Sequence, residues 1–267
     1  MKTVLRGTLV LACVLVCAAS NIQAQTPTAQ PQQMFGADRL FQAFVEDAAI
    51  VPTQWWEGQI VFFDGPDPLD STVAMVVAAI QPRQGLEFGG RVGFGNTDAP
   101  ASLPDGSGAT DLDLWGKWHL GSTTQSDFTV GLLLTIPTGD DTAGLGNDSF
   151  GAAIFGALRH GLNNAIFTAH AGLRFNEDGM ILGIPLDGTT SGIVGVGIIV
   201  PLADRLSVVG EANVESERFE QLDSDFRLVG GVNWRTSNRG TLRGALTLGI
   251  TDGAPDAQLI LGYAAIF

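Results

Sequence analysis

The chain ends with the alternating stretch Gln258-Leu259-Ile260-Leu261-Gly262-Tyr263-Ala264-Ala265-Ile266-Phe267. If this stretch is a β-strand, one of its faces carries Leu259, Leu261, Tyr263, Ala265 and Phe267. Terminal residues usually fray in water, so a terminal Phe on an apolar face indicates a strand that is paired on both edges and meets lipid. The alternative is the last strand of a soluble sandwich that happens to end in Phe.

These ten residues resemble the C-terminal signature of bacterial outer-membrane β-barrels, in which a final Phe closes the last strand. The resemblance implies that Tyr263 and Phe267 belong to an assembly signal for the barrel assembly machinery. It also implies that the protein lies in the cell outer membrane, with outer-membrane lipid and lipopolysaccharide as its surroundings.

The other end of the chain predicts export. Lys2 and Arg6 precede an apolar run over 8–19 and a small-residue cleavage site that ends at Ala24, which is typical of a signal peptide over 1–24. The run is shorter than the roughly 20 residues of a spanning helix. A lipoprotein site at Cys13 is the alternative. The only cysteines, Cys13 and Cys17, lie inside the signal, so we expect no disulfide and no cysteine-bound metal after cleavage.

Composition indicates membrane strands and excludes some partners. Hydrophobic residues make up 45% of the chain and the mean hydropathy is +0.22, yet the apolar residues are spread over many short segments. The net charge is −14, and it becomes −16 when Lys2 and Arg6 are removed with the signal. This charge argues against nucleic acid as a partner.

The sequence divides after the signal into a periplasmic N-terminal segment, 25–53, and a barrel, 54–267. Residues 25–33 are polar and contain Pro, which predicts a linker without a core. Phe35, Leu40, Phe41 and Phe44 have loosely helical spacing, which predicts a short helix at the periplasmic mouth within 34–51.

From residue 54 onward, segments of about ten alternating residues recur between Gly, Pro, Asn and Asp clusters. They predict an all-β fold, a transmembrane antiparallel up-and-down β-barrel of about twelve strands. The connections alternate between short turns and longer loops, as in outer-membrane barrels, and an even strand count puts both termini on the periplasmic side. The predicted strands are 54–63, 71–81, 85–95, 111–121, 127–137, 149–159, 164–175, 190–201, 205–215, 223–236, 240–251 and 256–267.

Polar side chains of each strand share one parity, which predicts that they face the lumen while apolar ones face lipid. Two interpretations of these charges stay open: mutual neutralisation across strands, or an unpaired subset that selects a solute. The lumen-facing candidates are Glu57, Glu87, Arg91, Asp113, Lys117, His119, His170, Arg174, Arg205, Glu211, Asp225, Arg227 and Arg243, with Glu215 on the same face.

Three predicted strands, 71–81, 149–159 and 190–201, are apolar on both faces. Inside a barrel, a strand that is apolar on both faces indicates either an apolar stretch of lumen wall or an inner plug that covers it. The tryptophans near strand ends predict an interfacial aromatic belt, namely Trp55, Trp56, Trp118 and Trp234.

Enzymatic chemistry and cofactors find no support in the sequence. His119 and His160 would lie near periplasmic turns, and His170 with Thr168 forms an isolated pair within a strand. The chain has no GxSxG, HExxH, P-loop or EF-hand pattern. We therefore expect no catalytic residues, no metal and no cofactor. The acidic loop 140–148 is either solvated or a weak divalent-cation site.

Two segments carry a more specific resemblance: Asp111-Leu112-Asp113-Leu114-Trp115-Gly116-Lys117, and a strand from Gly131 that runs into Pro137-Thr138-Gly139-Asp140. Together they resemble the outer-membrane family named for the meta pathway of phenol degradation. That resemblance implies a barrel and, by association, transport of aromatic compounds. We expect a passive channel or uptake protein for small solutes, including aromatic or hydrophobic ones. The alternatives are a structural barrel with a closed lumen and a barrel enzyme that acts on lipids.

Overall fold

The computed structural model describes residues 39–41, 47–50, 54–64, 70–98 and 105–267. The predicted signal peptide, the linker and most of the predicted helix within 34–51 lie outside these residues. Among the described residues there is no helix that could cross a membrane. The strands are β1 Trp55–Asp64, β2 Asp70–Arg83, β3 Leu86–Asp98, β4 Gly106–Ala109, β5 Leu112–Ser122, β6 Ser126–Ile136, β7 Gly151–Gly161, β8 Ile166–Asn176, β9 Gly179–Ile181, β10 Ile184–Leu186, β11 Thr190–Ala203, β12 Leu206–Glu215, β13 Asp225–Arg235, β14 Gly240–Gly249 and β15 Ala257–Ile266.

Twelve of these strands close into an antiparallel barrel. β1 pairs with β2 on one edge and with β15 on the other, so the ring has no free edge among its long strands. Around the ring the order is β1, β2, β3, β5, β6, β7, β8, β11, β12, β13, β14 and β15. The predicted fold class and strand number are therefore confirmed. Because the ring is closed, every long strand has a neighbour on both edges for its backbone hydrogen bonds, as the interior of a bilayer requires.

Three short strands were not predicted. β4 pairs with the end of β3, and β9 pairs with β10 in a separate hairpin. Both lie in stretches that the sequence predicted as long loops. The hairpin turn uses Leu182 and Gly183, whose φ angles are 52° and 77°. Two consecutive positive φ angles are typical of the tight turns that join hairpin strands, and a Leu there gives little sequence signal.

The outer face of the barrel is apolar. Large hydrophobic side chains on alternate positions of the long strands are exposed, among them Ile60, Val76, Phe94, Trp118, Ile154 and Leu246. Trp234 is also exposed, and Trp56 makes an edge contact with Tyr263 at 6.2 Å between ring centroids. The predicted belt position of Trp55 is wrong. Trp55 is buried inside the barrel beside Trp115, because its parity in β1 is that of the inward Glu57.

Connections differ in length at the two ends of the barrel. Two to four residues join β2 to β3, β5 to β6, β7 to β8, β11 to β12 and β13 to β14. The other connections are longer, and two of them contain β4 and the β9–β10 hairpin. We call these ends the short-turn end and the long-loop end. Residue 54 and Phe267 lie together at the short-turn end, where the Phe267 N–H donates to the Gln54 carbonyl oxygen at 2.9 Å.

Glycines on the inner face make room for aromatic rings. Gly131 lies directly opposite Phe155 and Gly89 directly opposite Trp115 in the neighbouring strands. A Cβ built at Gly131 would be 2.1 Å from Phe155 Cζ, and one at Gly89 would be 2.2 Å from the Trp115 ring. The rings therefore lie across the glycines, against the inner wall of the barrel.

Candidate functional site

The described residues 39–41 and 47–50, which we call the lumen plug, lie inside the barrel. Leu40 and Phe41 pack with Val61, Ile199 and Ile260 from the wall. Ala48 packs with Phe155 and Ala157 of β7. β7 and β11 correspond to predicted strands that are apolar on both faces. The plug covers part of their inward faces. The plug is neither helix nor strand at its described residues.

Arg243 of β14 anchors the first part of the plug. Its guanidinium donates to the carbonyl oxygens of Arg39 at 2.9 Å and Leu40 at 2.7 Å, and also to Glu57 Oε2 at 2.7 Å. The same group lies 4.4 Å from the centre of the Phe41 ring. The Phe41 N–H donates to Glu211 on β12. Backbone groups that would otherwise be unpaired in the lumen are therefore satisfied by wall side chains.

The second part of the plug is anchored by the opposite wall. Lys117 Nζ donates to the carbonyl oxygens of Asp47 at 3.2 Å and Ala49 at 2.7 Å. Asp47 accepts from Arg159 Nη1 at 3.2 and 3.1 Å, and both side chains are almost completely buried. Breaking a buried pair of this kind leaves one charge without its counterion, which costs about 3–5 kcal/mol.

Glu87 of β3 links the two parts of the plug, because its carboxylate lies near Arg39 of the first part and near Lys117, which binds the second part. Its carboxylate is 2.9 Å from Lys117 Nζ and 3.6 Å from Arg39 Nη2. Trp115 Nε1 donates to the same carboxylate at 3.3 Å. The Arg39 guanidinium also stacks over the Trp55 ring at 4.1 Å. Glu57, Glu87, Arg159 and Arg243 lie in the halves of their strands that adjoin the short-turn end.

A cavity of about 430 Å³, the vestibule, occupies the half of the lumen toward the long-loop end. Phe41 of the plug belongs to its lining, and so do residues 144–147 of the loop after β6. A second cavity, of about 20 Å³, is lined by Arg39, Trp55 and residues 237–241 near the short-turn end. The first volume is in the range of small-molecule sites, whereas the second holds about one water molecule.

One wall of the vestibule is apolar and another is charged. Val61 and Phe63 of β1, Met75 of β2 and Ile260 of β15 come from three adjacent strands and form an apolar surface, which Gln59 and Gln258 of the same strands border. Arg174 comes from β8, which is six strands from β1 in the ring of twelve and therefore lies across the lumen. A solute in the vestibule meets both kinds of surface.

The charged side chains of the vestibule form ion pairs. Arg91 Nε is 2.7 Å from Asp113 Oδ2, and Thr135 donates to the same carboxylate at 2.6 Å. Arg227 Nε donates to Asp225 Oδ1 at 2.6 Å. Glu215 lies between two arginines, 3.4 Å from Arg174 and 2.6 Å from Arg218. His170 is 3% exposed, lines the same cavity and faces Gly195 of β11.

Asp111 holds the loop that forms the vestibule's rim. It accepts N–H bonds from Gly139 at 2.9 Å and Asn147 at 3.2 Å, so the two segments that resemble the phenol-pathway family meet at this carboxylate. Burial raises the pKa of Asp111, and the two N–H donors oppose that rise. Asp140 accepts from Thr142 and Ala143 within its own turn, and these bonds lower its pKa.

The predicted lumen residues thus fall into three groups. Glu57, Glu87, Lys117, Glu211 and Arg243 contact the plug or each other beneath it. Arg91, Asp113, His170, Arg174, Asp225 and Arg227 line the vestibule. Arg205 lies elsewhere, in the exposed turn before β12, because that strand begins one residue later. His119 lies near the short-turn end, half-buried beside Asp127.

The predicted set of lumen residues missed several residues of the site. Arg159 has the parity of the inward Phe155 and Ala157, so counting by two from those residues would have found it. Arg218 lies in a loop, where alternation predicts no side. Asp47 belongs to the plug, and no strand pattern covers it.

Ser122, His119 and Asp127 meet near the short-turn end, but not as a hydrolytic triad. His119 Nε2 is 3.0 Å from Ser122 Oγ and 3.3 Å from Asp127 Oδ1, so the serine and the acid share one ring nitrogen. Ser122 Oγ donates to Asp127 at 2.6 Å. In a triad the acid holds the other ring nitrogen, so that the base can accept the serine proton.

Comparison of the sequence with protein-family models and with curated proteins gives no match. The fold is similar to that of an outer-membrane channel from Pseudomonas putida F1, with a TM-score of 0.68 and 14% identity over 83% of this chain and 98% of that chain. It is also similar to the KdgM porin in complex with disordered oligogalacturonate, with a TM-score of 0.57 and 6% identity over 80% of this chain and 99% of that chain.

The chain is an outer-membrane β-barrel. The closed ring of twelve strands and its apolar outer face fit a bilayer, and the fold is shared with outer-membrane proteins. Short turns of such barrels lie on the periplasmic side and longer loops outside the cell. In this outer-membrane barrel the vestibule opens toward the long-loop end, and Phe41 of the lumen plug lines it.

Proposed function

We propose that this outer-membrane barrel is a passive uptake channel for small solutes, including aromatic or hydrophobic ones. The observation that carries the proposal is the vestibule, a cavity of about 430 Å³ inside a closed barrel, with an apolar wall and paired charges. A solute entering from outside would rest on Phe41, and passage to the periplasm would require the plug to move. Membership of the family named for the meta pathway of phenol degradation is part of the same proposal.

A barrel with a permanently closed lumen is the second candidate, and the plug favours it. Seven described plug residues lie in the lumen, and their backbone and side chains bond to the wall. The two candidates differ in whether the plug leaves its anchors while the barrel stays intact.

Single-channel recording in planar bilayers separates the two candidates. Asp47→Ala removes the acceptor of Arg159 and Ala49 and should weaken the plug, so we expect more frequent and larger openings than in the parent protein. Asp204→Ala, in an exposed turn, is the matched control and should record like the parent. If neither the parent nor Asp47→Ala ever opens, the channel proposal fails and the closed barrel stands.

Uptake of a panel of aromatic acids and hydrocarbons, with and without the protein, tests the solute class. The proposal assigns no enzymatic activity to the barrel. Hydrolysis of lipid by the parent protein that disappears in His170→Ala would contradict that assignment.

A further inference from the structure

Two guanidinium groups share one carboxylate on the charged wall of the vestibule. Arg218 Nη2 is 2.6 Å from Glu215 Oε2, and Arg174 Nε is 3.4 Å from Glu215 Oε1. Ser191 also donates to Glu215 Oε1, at 3.1 Å. Two cations and one anion leave this trio with a formal charge of +1. The lining of the vestibule as a whole contains four arginines and four carboxylates, so the trio is a local positive region in a cavity with no net formal charge.

The two arginines lie at different depths. Arg218 belongs to the loop after β12, and 39% of its side chain is exposed, whereas 9% of the Arg174 side chain on β8 is exposed. An anion entering from the long-loop end would meet Arg218 first and Arg174 further in. The planar guanidinium presents paired donors that match the two oxygens of a carboxylate.

The surface across the lumen suits a different part of the same molecule. Phe63 and Val61 of β1 and Met75 of β2 form the apolar wall, and Phe41 of the plug also lines the cavity. A hydrocarbon would use only that wall. A molecule with an acidic group at one end and an apolar body at the other would contact both walls at once.

We propose that the vestibule binds small amphipathic carboxylates, with the carboxylate at Arg174 and Arg218 and a ring-sized apolar body against Val61, Phe63 and Met75. This inference rests on the proposed uptake function and specifies its solute class. It also assigns a role to Arg218, which strand alternation did not find.

Three probes with the same body and different head groups test the proposal: 3-phenylpropionate, its amide and 3-phenylpropylamine. Their dissociation constants are measured by calorimetry on the full-length protein in detergent, with titrations into empty micelles subtracted. We expect the carboxylate to bind roughly 10- to 100-fold more tightly than the amide, since its bonds to arginine are charge-assisted. The amine should bind most weakly. Propionate, which lacks the ring, should bind more weakly than 3-phenylpropionate.

Variants locate the anion site. Arg218→Met should raise the dissociation constant of 3-phenylpropionate about tenfold or more and leave that of the amide unchanged. Arg174→Met should act in the same direction. Arg83→Met, exposed at the end of β2 by the short-turn end, is the matched control and should bind all probes like the parent. If Arg174→Met fails to fold, Arg218→Met alone decides, because its side chain is partly exposed.

Conductance recorded on the same preparations distinguishes the two levels of the proposal. A parent protein that conducts but binds the three probes equally, or binds 3-phenylpropionate as tightly after Arg218→Met, overturns the carboxylate site and leaves the channel intact. A protein that binds the carboxylate selectively and never conducts, even with Asp47→Ala, overturns the uptake function instead.

Discussion

Arg243 donates to acceptors on both the barrel wall and the plug: Glu57, Asn233 and the carbonyl oxygens of Arg39 and Leu40. Arg243→Met should lower the free energy of unfolding by about 3–5 kcal/mol, because Glu57 stays buried without its counterion. Urea unfolding in vesicles measures this loss. Arg239→Met, exposed in the neighbouring turn, is the control and should stay within about 0.5 kcal/mol of the parent.

A double variant tests the cause of that loss. If the cost comes from an uncompensated Glu57, then Arg243→Met combined with Glu57→Gln should recover part of the stability, because no buried charge remains. A double variant that is less stable than Arg243→Met alone would mean that the bonds to Arg39 and Leu40 dominate instead.

Asp111 predicts a pH dependence with a definite sign. Burial raises its pKa in the folded protein above the unfolded value, so its contribution to stability is present at low pH and is lost as the pH rises through the raised pKa. Asp111→Asn carries no titrating group at this position. The free energy of unfolding of this variant, relative to the parent, should therefore increase with pH across that window.

The free energies of unfolding of Asp111→Asn and of the parent are measured at a series of pH values and subtracted. The contributions of the other titrating groups are nearly the same in both proteins and largely cancel in this difference. A difference that falls as the pH rises would show that the N–H bonds from Gly139 and Asn147 outweigh burial. Protease cleavage in the loop 137–148 gives an independent measure of whether that loop is held.

At the scale of elements, the inner face of the barrel depends on cross-strand pairs of a glycine and an aromatic ring. In Gly131→Ala the new Cβ would lie 2.1 Å from Phe155 Cζ, so the ring must move against Ala48 and Ala157. We expect a loss of about 1–3 kcal/mol in the free energy of unfolding. Gly156→Ala is the matched control, since its Cβ would meet nothing within 4 Å. Equal stability of the two variants would contradict the packing role of Gly131.

The strands themselves were predictable from the sequence, because alternation has a period of two and each lipid-facing side chain must be apolar. Predicted and observed strand boundaries differ by at most three residues, as in 71–81 against β2 Asp70–Arg83. The pairing of charges was not predictable. The partner of each arginine depends on the register between strands and on the loops, such as the loop that carries Arg218. The alternation of residues within a strand determines neither of these.

At the scale of the whole molecule, the sequence predicted a closed barrel. It did not predict which residues fill the lumen. The contacts of Arg39 and Asp47 join residues far apart in the chain, such as Asp47 and Arg159. No local pattern reports such contacts. The only indication of a plug in the sequence was the set of strands that are apolar on both faces. That pattern was compatible with an apolar lumen wall as well as with an inner plug.

Phe267 lies where the ring closes, and the sequence also predicts that it belongs to an assembly signal. An experiment can separate these two roles. Its N–H donates to the Gln54 carbonyl oxygen, and the residue is 66% exposed on the lipid side. Deletion of Phe267 should reduce the heat-modifiable folded band in isolated outer membranes if this residue is part of an assembly signal. Purified chain refolded into vesicles, where no assembly machinery acts, should reach nearly the parent yield, because one bond at a strand end contributes only about 1 kcal/mol. Phe62→Ala, a lipid-facing Phe within β1, is the control and should assemble normally in cells. Equal losses in cells and in vesicles would mean that Phe267 stabilises the closed ring and is not read as a signal.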